Sequence, residues 1–492
     1  HSVASYDLLV IGGGINGLGI AAEASRRGLT VLLVEKNDFG GGTTAASSRL
    51  IHGGLRYLQY GELGLVRESL RERGRLVRER PHLVRPIRLL IPAFAGIGPP
   101  AWKLRAGLAL YDFLARDPAF PRSQALTPAE TLSREPGLSR KGLTGGFVYP
   151  DAQVEFPERL CVELMRATQA AGGEAINHTQ VTALRDDGKR VTGARLRDTL
   201  TGREWDVEAR LTINAAGPWV DAVNRLLRRP VPPLIGGTWG THLVLPLRPE
   251  GPRGHLYATA KKDGRPFFIL PWDGRLLVGT TDIPFRGDPD ELHMEAWEPE
   301  YLLAETNRLF PGCGYTEADV QHTTIGIRPL PASDRAAAAR TRRHFLVDHE
   351  RTQGIAGLGS VVGGKLTTYR SLAEEVVNWS CLRLGKGEPA QPAPALRELP
   401  PTAREAPRTR LDRLYGPRAA DIQELVRGRP ELNRPLADGC PAIAAEAVHA
   451  VTAEQARTAD DVLFRRLMLL PPTTEVRKGL EVLCRTEGLP LA

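Results

Sequence analysis

Two short stretches carry residues from which chemistry can be built. The first, "IGGGING" (11–17), sets Gly12, Gly14 and Gly17 in a G-x-G-x-x-G pattern. It follows the apolar, strand-like "YDLLVIG" (6–12) and opens the helical "NGLGIAAEASRRG" (16–28). Glu35 closes the next apolar run, "TVLLVE" (30–35), 23 residues after Gly12. In that context the first glycine permits a tight turn and the second lets a pyrophosphate reach the backbone, while the third brings helix against strand. The helix start offers unpaired N–H groups and a positive dipole end to the phosphates. The carboxylate can accept both hydroxyls of a ribose. This is the chemistry of dinucleotide binding. The second stretch, "LIHGGLRYLQY" (50–60), packs His52, Gly53, Gly54, Arg56 and Tyr57 into six positions. Neither strand nor helix favours two glycines in its middle. A base, a guanidinium and a phenol on a flexible backbone suit one wall of a site.

These residues must be held by an α/β scaffold. After Glu35 the chain does not continue in regular strand–helix units, as a nicotinamide-binding domain would. It returns to the pattern at "LTINAAGPWVD" (211–221), a strand ending in a turn of small residues. "GLGSVVGG" (357–364) is not a second fingerprint, because Val362 occupies the third glycine's place. One nucleotide site is visible, and it suits FAD better than NAD. Helical periodicity from Pro157 precedes short strands at 174–178, 181–185, 190–197 and 207–214. Between 234 and 285 the segments "THLVLPL", "LYATA", "PFFILPW" and "RLLVGTTD" alternate as antiparallel strands do. A helix over 298–310, strands at 320–327 and 344–348, and a Gly-rich turn feeding another helix follow. Six prolines mark 386–408 as a linker, and the remainder is helical. The expected architecture is α/β: a discontinuous FAD-binding Rossmann-like domain (1–84, 150–233, 335–385), an antiparallel-sheet substrate domain (85–149, 234–334) and a C-terminal helical domain (409–492).

Composition excludes several classes. A chain of 492 residues with 42% apolar and 25% charged residues is globular and long enough for two or three domains. No apolar run reaches the ~18 residues of a membrane span. The first residues lack the regions of a signal peptide. Five scattered cysteines without C-x-x-C argue against a disulfide framework, zinc or an iron–sulfur cluster. An intracellular, metal-free protein is expected. Of the net charge of +8, Leu65 to Arg116 holds +7, from eleven Lys/Arg against four Asp/Glu. Interleaving with "LLIPAFAGIG" (89–98) and "AWKLRAGLALYDFL" (101–114) suits an anionic membrane surface better than nucleic acid. A solvated helix beside a core or dimer helix is the alternative.

Together, "GGGINGLGIAAEASRRG", "SSRLIHGGLRYL", "NAAGPWVD", "IGIRPL", "GGKLTTYR" and, near the C-terminus, "AEQARTADDVLFRR" resemble the FAD-dependent glycerol-3-phosphate dehydrogenase family, in order and over nearly the whole chain. The resemblance implies hydride transfer from C2 of sn-glycerol 3-phosphate to FAD, giving dihydroxyacetone phosphate, with electrons passed to a membrane quinone. It implies a homodimer in the cytoplasm, peripheral on the inner face of the cell membrane. Arg56 and Arg328 match phosphate-binding positions, and Lys365 would stand near the substrate or flavin. His242, with His52 as the second candidate, would take the hydroxyl proton with a pKa near neutrality, and Tyr57 would bond or cover the substrate. Gly53 and Gly54 would let the chain pass close beneath the flavin. The expected cofactor-binding set is Gly12, Gly14, Asn16, Gly17, Glu35, Lys36, Thr43, Ser47, Ser48, Val181, Ala216, Gly217, Gly364, Lys365, Leu366 and Thr367.

Three positions depart from the family pattern. Trp239 stands where a basic residue is common, which removes one expected phosphate contact. Arg49 replaces a frequent Lys, and "VEFPERL" (154–160) differs from the usual Asp-Asp-Ala-Arg-Leu. Two other functions remain open at this point. One is a hydrogen-peroxide-forming glycerol-phosphate oxidase of the same fold. The other is a non-catalytic flavin protein whose basic stretch binds nucleic acid.

Overall fold

The computed structural model describes residues 4–117, 119–332, 343–386 and 409–492. Its first sheet grows around β1 (Ala4–Ile11), which lies parallel between β2 (Val31–Val34) and the strand Glu204–Asn214. The strand Leu358–Val362 extends it on the far side of Glu204–Asn214, again in parallel. Runs such as "LLVI" are apolar at every position because both faces are covered. Leu8 and Val10 pack toward α1 (Ile15–Arg26) and the helices Pro157–Ala170 and Tyr369–Arg383. Leu9 and Ile11 pack the other way, onto the Val181–Ala194 cluster. The parallel direction of these strands puts their C-terminal ends at one edge, where the Gly12 turn lies.

Among the described residues the second sheet has ten strands and is mostly antiparallel. Thr238–Pro246 pairs with Arg275–Gly279 and with His322–Arg328. On the other side, Val84–Phe94 pairs with Leu143–Val154 over its whole length. The expected division at 149/150 therefore falls inside a continuous strand. Val84 opposite Val154 and Arg85 opposite Gln153 keep that ladder intact to its end. The α/β class with an antiparallel sheet and C-terminal helices is as expected from the sequence. The proline-rich stretch lies, beyond Lys386, outside the described residues.

The basic stretch 65–116 is not one docking face. "LLIPAFAGIG" contributes a sheet strand with Leu89, Leu90 and Ile91 buried, so it faces protein on both sides. In α2 (Leu63–Glu79) and just beyond it, several cations are spent internally: Arg73 on Asp151, Arg75 on Glu79, and Arg80 on Glu163. Arg67, Arg71 and Arg78 of α2 stay exposed, as does the outer side of α3 (Ala101–Ala115), where Trp102 is 66% and Phe113 60% exposed.

The C-terminal helices close around an alanine-rich helix, Ala444–Thr452. Buried ion pairs dock them on the first domain: Arg159 with Glu454 at 2.6 Å and Arg466 with Asp38 at 2.6 Å. Asp38, His178 and Asp461 come within 4.8 Å of one another. Arg465 and Arg466 neutralise Asp38, and the His178 Nε2–Asp461 contact of 2.8 Å completes an ion network.

Candidate active site

The edge formed by Gly12 opens on a cavity of about 330 Å³. Gly12 has φ +110°, and a Cβ there would sit 2.7 Å from the Ala215 carbonyl, so only glycine fits the turn. A Cβ on Gly17 would lie 1.9 Å from the Gly12 carbonyl, which sets how closely helix and strand cross. Gly14 has room toward the cavity, its nearest neighbour being Thr44 Oγ1 at 3.6 Å. Thr44 Oγ1 accepts the Ile15 N–H at 3.2 Å and so caps the helix start, a contact between residues 29 apart.

Glu35 also borders this cavity. Its carboxylate accepts the Gly13 N–H at 2.6 Å and the Asn37 N–H at 2.9 Å. Burial pushes its carboxyl pKa up, against those two bonds. Asn16, Lys36, Thr43, Ser47, Val181, Ala216, Gly217, Gly364, Lys365 and Leu366 line the same space. Asn16 donates to the Gly363 carbonyl at 3.4 Å, and its buried Oδ1 has no bonded partner among the described residues. Lys36 reaches Asp290 at 2.6 Å and lies over the Trp219 ring, whose Nε1 donates to the same carboxylate at 2.9 Å.

A second cavity of about 610 Å³ shares Thr43, Ser47, Gly364, Lys365 and Leu366 with the first. It brings together Ser48, His52, Arg56, Tyr57, His242, Arg328 and Thr367. Of the residues singled out for catalysis or cofactor binding, Gly17 lines neither cavity, because its place is the helix–strand crossing, and Gly53 is turned into the protein.

His242 sits on Thr238–Pro246, 3% exposed, with Nε2 hydrogen-bonded to Ser48 Oγ at 2.8 Å. Its buried Nδ1 has no bonded partner among the described residues. Burial, then the charges of Arg328 and Arg49, bring its pKa down to about 3. The expected near-neutral value is corrected: this imidazole is neutral throughout the physiological range. Arg328 lies directly opposite Thr238 in the sheet register. Its guanidinium donates to Asp282 at 2.9 Å, to Thr280 Oγ1 and the Thr281 carbonyl at 3.0 Å, and to Thr238 Oγ1 at 3.2 Å. Arg56 is paired with no carboxylate among the described residues.

Lys365 Nζ donates to Ser69 Oγ of α2 at 2.8 Å and to the His52 carbonyl at 3.4 Å, above the Tyr57 ring. Thr367 Oγ1 accepts the His52 N–H at 3.1 Å. Contacts within the protein by themselves require glycine at both positions of the pair. A Cβ on Gly53 would strike the Tyr111 hydroxyl at 2.4 Å and Leu70 at 2.5 Å, while Gly54, at φ +80°, turns the chain into 55–60. Protein packing demands the pair.

Sequence reasoning missed several lining residues. Arg265 donates to the Asp282 carbonyl from a strand start, and Tyr257 faces the cavity with its phenol pushed up to about 12 by burial. Tyr149, Asp151 and Thr280 also line it. Each lies on or beside a strand with no local motif to mark it. The departures from the family pattern are now placed. Arg49 is buried and forked onto Glu158 of "VEFPERL" at 2.7 and 2.8 Å. Trp239 is buried within its strand.

Two joined cavities, one with the glycine turn and the Glu35 carboxylate, the other cationic, suit an extended dinucleotide reaching from one into the other. The FAD dependent oxidoreductase family matches residues 7–370, and the C-terminal domain of alpha-glycerophosphate oxidase matches 360–486. Fold and site thus define an FAD-dependent oxidoreductase. The glycerol-3-phosphate dehydrogenase of Synechocystis is 41% identical over 98% of this chain and 92% of its own length. The aerobic glycerol-3-phosphate dehydrogenase of Staphylococcus haemolyticus is 36% identical over 77% and 67%. The FAD complex of glycerol-3-phosphate dehydrogenase from Bacillus halodurans superposes with a TM-score of 0.77 at 27% identity, covering 99% of this chain and 91% of that one. The chain belongs to the glycerol-3-phosphate dehydrogenase family of FAD-dependent oxidoreductases.

Proposed function

We propose that this flavoprotein oxidises sn-glycerol 3-phosphate to dihydroxyacetone phosphate and delivers the electrons to a membrane quinone. The observation that carries the reading is the second cavity. Arg56, Arg265 and Arg328 line it, and the neutral His242 turns toward it from its strand. Bound FAD supplies the two-electron acceptor for the hydride that leaves C2. Gly12, Gly14 and Asn16 would hold its pyrophosphate, Glu35 its ribose beside Lys36 and Val181, and Gly364 to Thr367 the edge of its ring.

The protein's own groups do the rest. A phosphate dianion in a half-buried pocket needs fixed cations, and the planar fork of arginine matches its oxygens. Arg56 would bind first, since it holds no carboxylate to exchange. Arg328, already oriented by Asp282 and three threonines, would share its charge with the phosphate. That dianion offsets part of the cationic field that, after burial, keeps His242 a weak base. His242 could then accept the C2 hydroxyl proton, with Ser48 fixing its ring. His52 and Tyr57 would orient the substrate, and Lys365 would hold the wall on which they stand.

A second reading, reoxidation by oxygen with release of hydrogen peroxide, is favoured by the match of 360–486 to the C-terminal domain of alpha-glycerophosphate oxidase. Docking on the anionic inner face of the cell membrane through α3, and a homodimer based on the family resemblance alone, complete the proposal. No helix among the described residues is long and apolar enough to cross a membrane. Anaerobic glycerol 3-phosphate should bleach the flavin, and a soluble quinone should restore its colour faster than oxygen does. Flavin left oxidised by the substrate overturns the reading. Faster recovery in oxygen, with peroxide formed, selects the second.

A further inference from the structure

Beneath the His52–Gly54 wall lies a buried polar cluster that the proposed chemistry does not use. Asp151, on Leu143–Val154, is 1% exposed and accepts from three groups: Arg73 Nη1 at 2.9 Å, the Tyr111 hydroxyl at 2.9 and 3.0 Å, and the Gly53 N–H at 3.2 Å. The Gly53 N–H is shared with the Tyr111 oxygen at 2.9 Å. Arg73 also donates to the Pro150 carbonyl at 2.8 Å and lies over the Phe120 ring. Tyr111 meets Tyr149, a lining residue of the second cavity, edge to face at 5.9 Å. From the opposite side His52 is pinned through Thr367 and Lys365.

Placing an aspartate, an arginine and a tyrosine in the interior is costly unless each is bonded. Apolar residues of the same size would hold the fold as well or better. Only a polar cluster can take hold of a backbone N–H, and this one holds the N–H next to His52. Burial pushes the Asp151 carboxyl up, and Arg73 with the bonds from Tyr111 and Gly53 pulls it back.

We infer that Arg73, Tyr111 and Asp151 are positioning residues for the reaction, fixing the height of the His52–Gly53 backbone against the flavin and substrate space. The inference rests on the function proposed above. None of the three need touch the substrate. They act through Gly53, on a wall where a displacement of 1 Å costs on the order of a hundredfold in rate.

Tyr111→Phe tests this in the FAD-loaded protein, since it removes one oxygen and keeps the ring. Flavin reduction by glycerol 3-phosphate should slow by roughly tenfold to a hundredfold, with KM within about threefold of wild type. The visible absorption and circular dichroism of the oxidised flavin should shift without substrate. Arg73→Lys, which keeps the charge and loses the fork, should give a smaller change of the same kind. It decides the matter if the Phe variant fails to retain FAD. A lowered melting temperature with unchanged flavin spectrum and reduction rate means the cluster is merely structural, and overturns the inference. If wild type is not reduced by glycerol 3-phosphate, the functional reading fails instead. The substrate-free spectra then still judge the wall.

Discussion

Ser48 Oγ and His242 Nε2 lie 2.8 Å apart although 194 residues separate them in the chain. That bond holds the ring of the proposed base in place. His242→Asn should slow anaerobic flavin reduction by roughly 10²–10⁴-fold, the usual loss for a general base. Because its pKa lies at about 3, kcat/KM between pH 5 and 8 should show no inflection from His242. Stopped-flow reduction across that range checks both statements. An unchanged rate moves the role to His52 or to water.

Arg328 is oriented by Asp282 at 2.9 Å before any substrate arrives. Arg328→Ala should raise KM for glycerol 3-phosphate and leave FAD bound. The cost is about 2–5 kcal/mol, as for truncating one partner of a buried charge pair. Asp282→Asn should raise KM less, since the cation remains. Glycerol should be a poor substrate for wild type. Equal rates with glycerol and glycerol 3-phosphate would refute the phosphate pocket.

Glu35 holds two backbone N–H groups at the nucleotide cavity. Glu35→Ala should weaken FAD binding by roughly ten- to a hundredfold, the equivalent of losing one bond to a charged group. Flavin that stays bound should keep its spectrum. Equilibrium dialysis of the reconstituted protein measures the change.

Acid should destabilise the fold in two stages. The folded pKa of His242, about 3, lies below its ordinary 6.5, so the unfolded chain binds a proton that the native one refuses. Burial would raise the Glu163 carboxyl, but His82 at 2.5 Å and Arg80 at 2.9 Å outweigh it and bring it down to about 2 from 4.5. Both contributions are complete at neutral pH and are lost as pH falls, the first below 6.5 and the second below 4.5. Each group costs about 1.4 kcal/mol per pH unit inside its window. Thermal unfolding from pH 7 to 3 should show the slope, and His242→Asn should flatten its upper part.

Trp102 and Phe113 stand out of α3 beside Lys103 and Arg105, which are also exposed. Wild type should sediment with anionic vesicles and be released only in part by salt, which screens charges over ~8 Å but not inserted rings. Trp102→Ser with Phe113→Ser should abolish the salt-resistant fraction, and Arg71→Glu with Arg105→Glu the salt-sensitive one. Wild type left in solution at low salt would make this surface a solvated or dimer-facing one.

The nucleotide end was legible because it is local. A strand, three glycines, a helix and the Glu35 carboxylate are contiguous, and short-range sterics alone force their turn. The alternating apolar runs likewise announced the antiparallel sheet. Composition could also place the cations of 65–116, but not their partners. The tertiary structure decided that Arg73 faces Asp151 while Trp102 faces outward, because helix packing selects one face of each helix. It set Arg328 opposite Thr238 and His242 against Ser48, pairings fixed by strand register rather than by sequence spacing. It also lowered the pKa of His242, since burial and the fields of Arg328 and Arg49 exist only once distant segments of the chain have met.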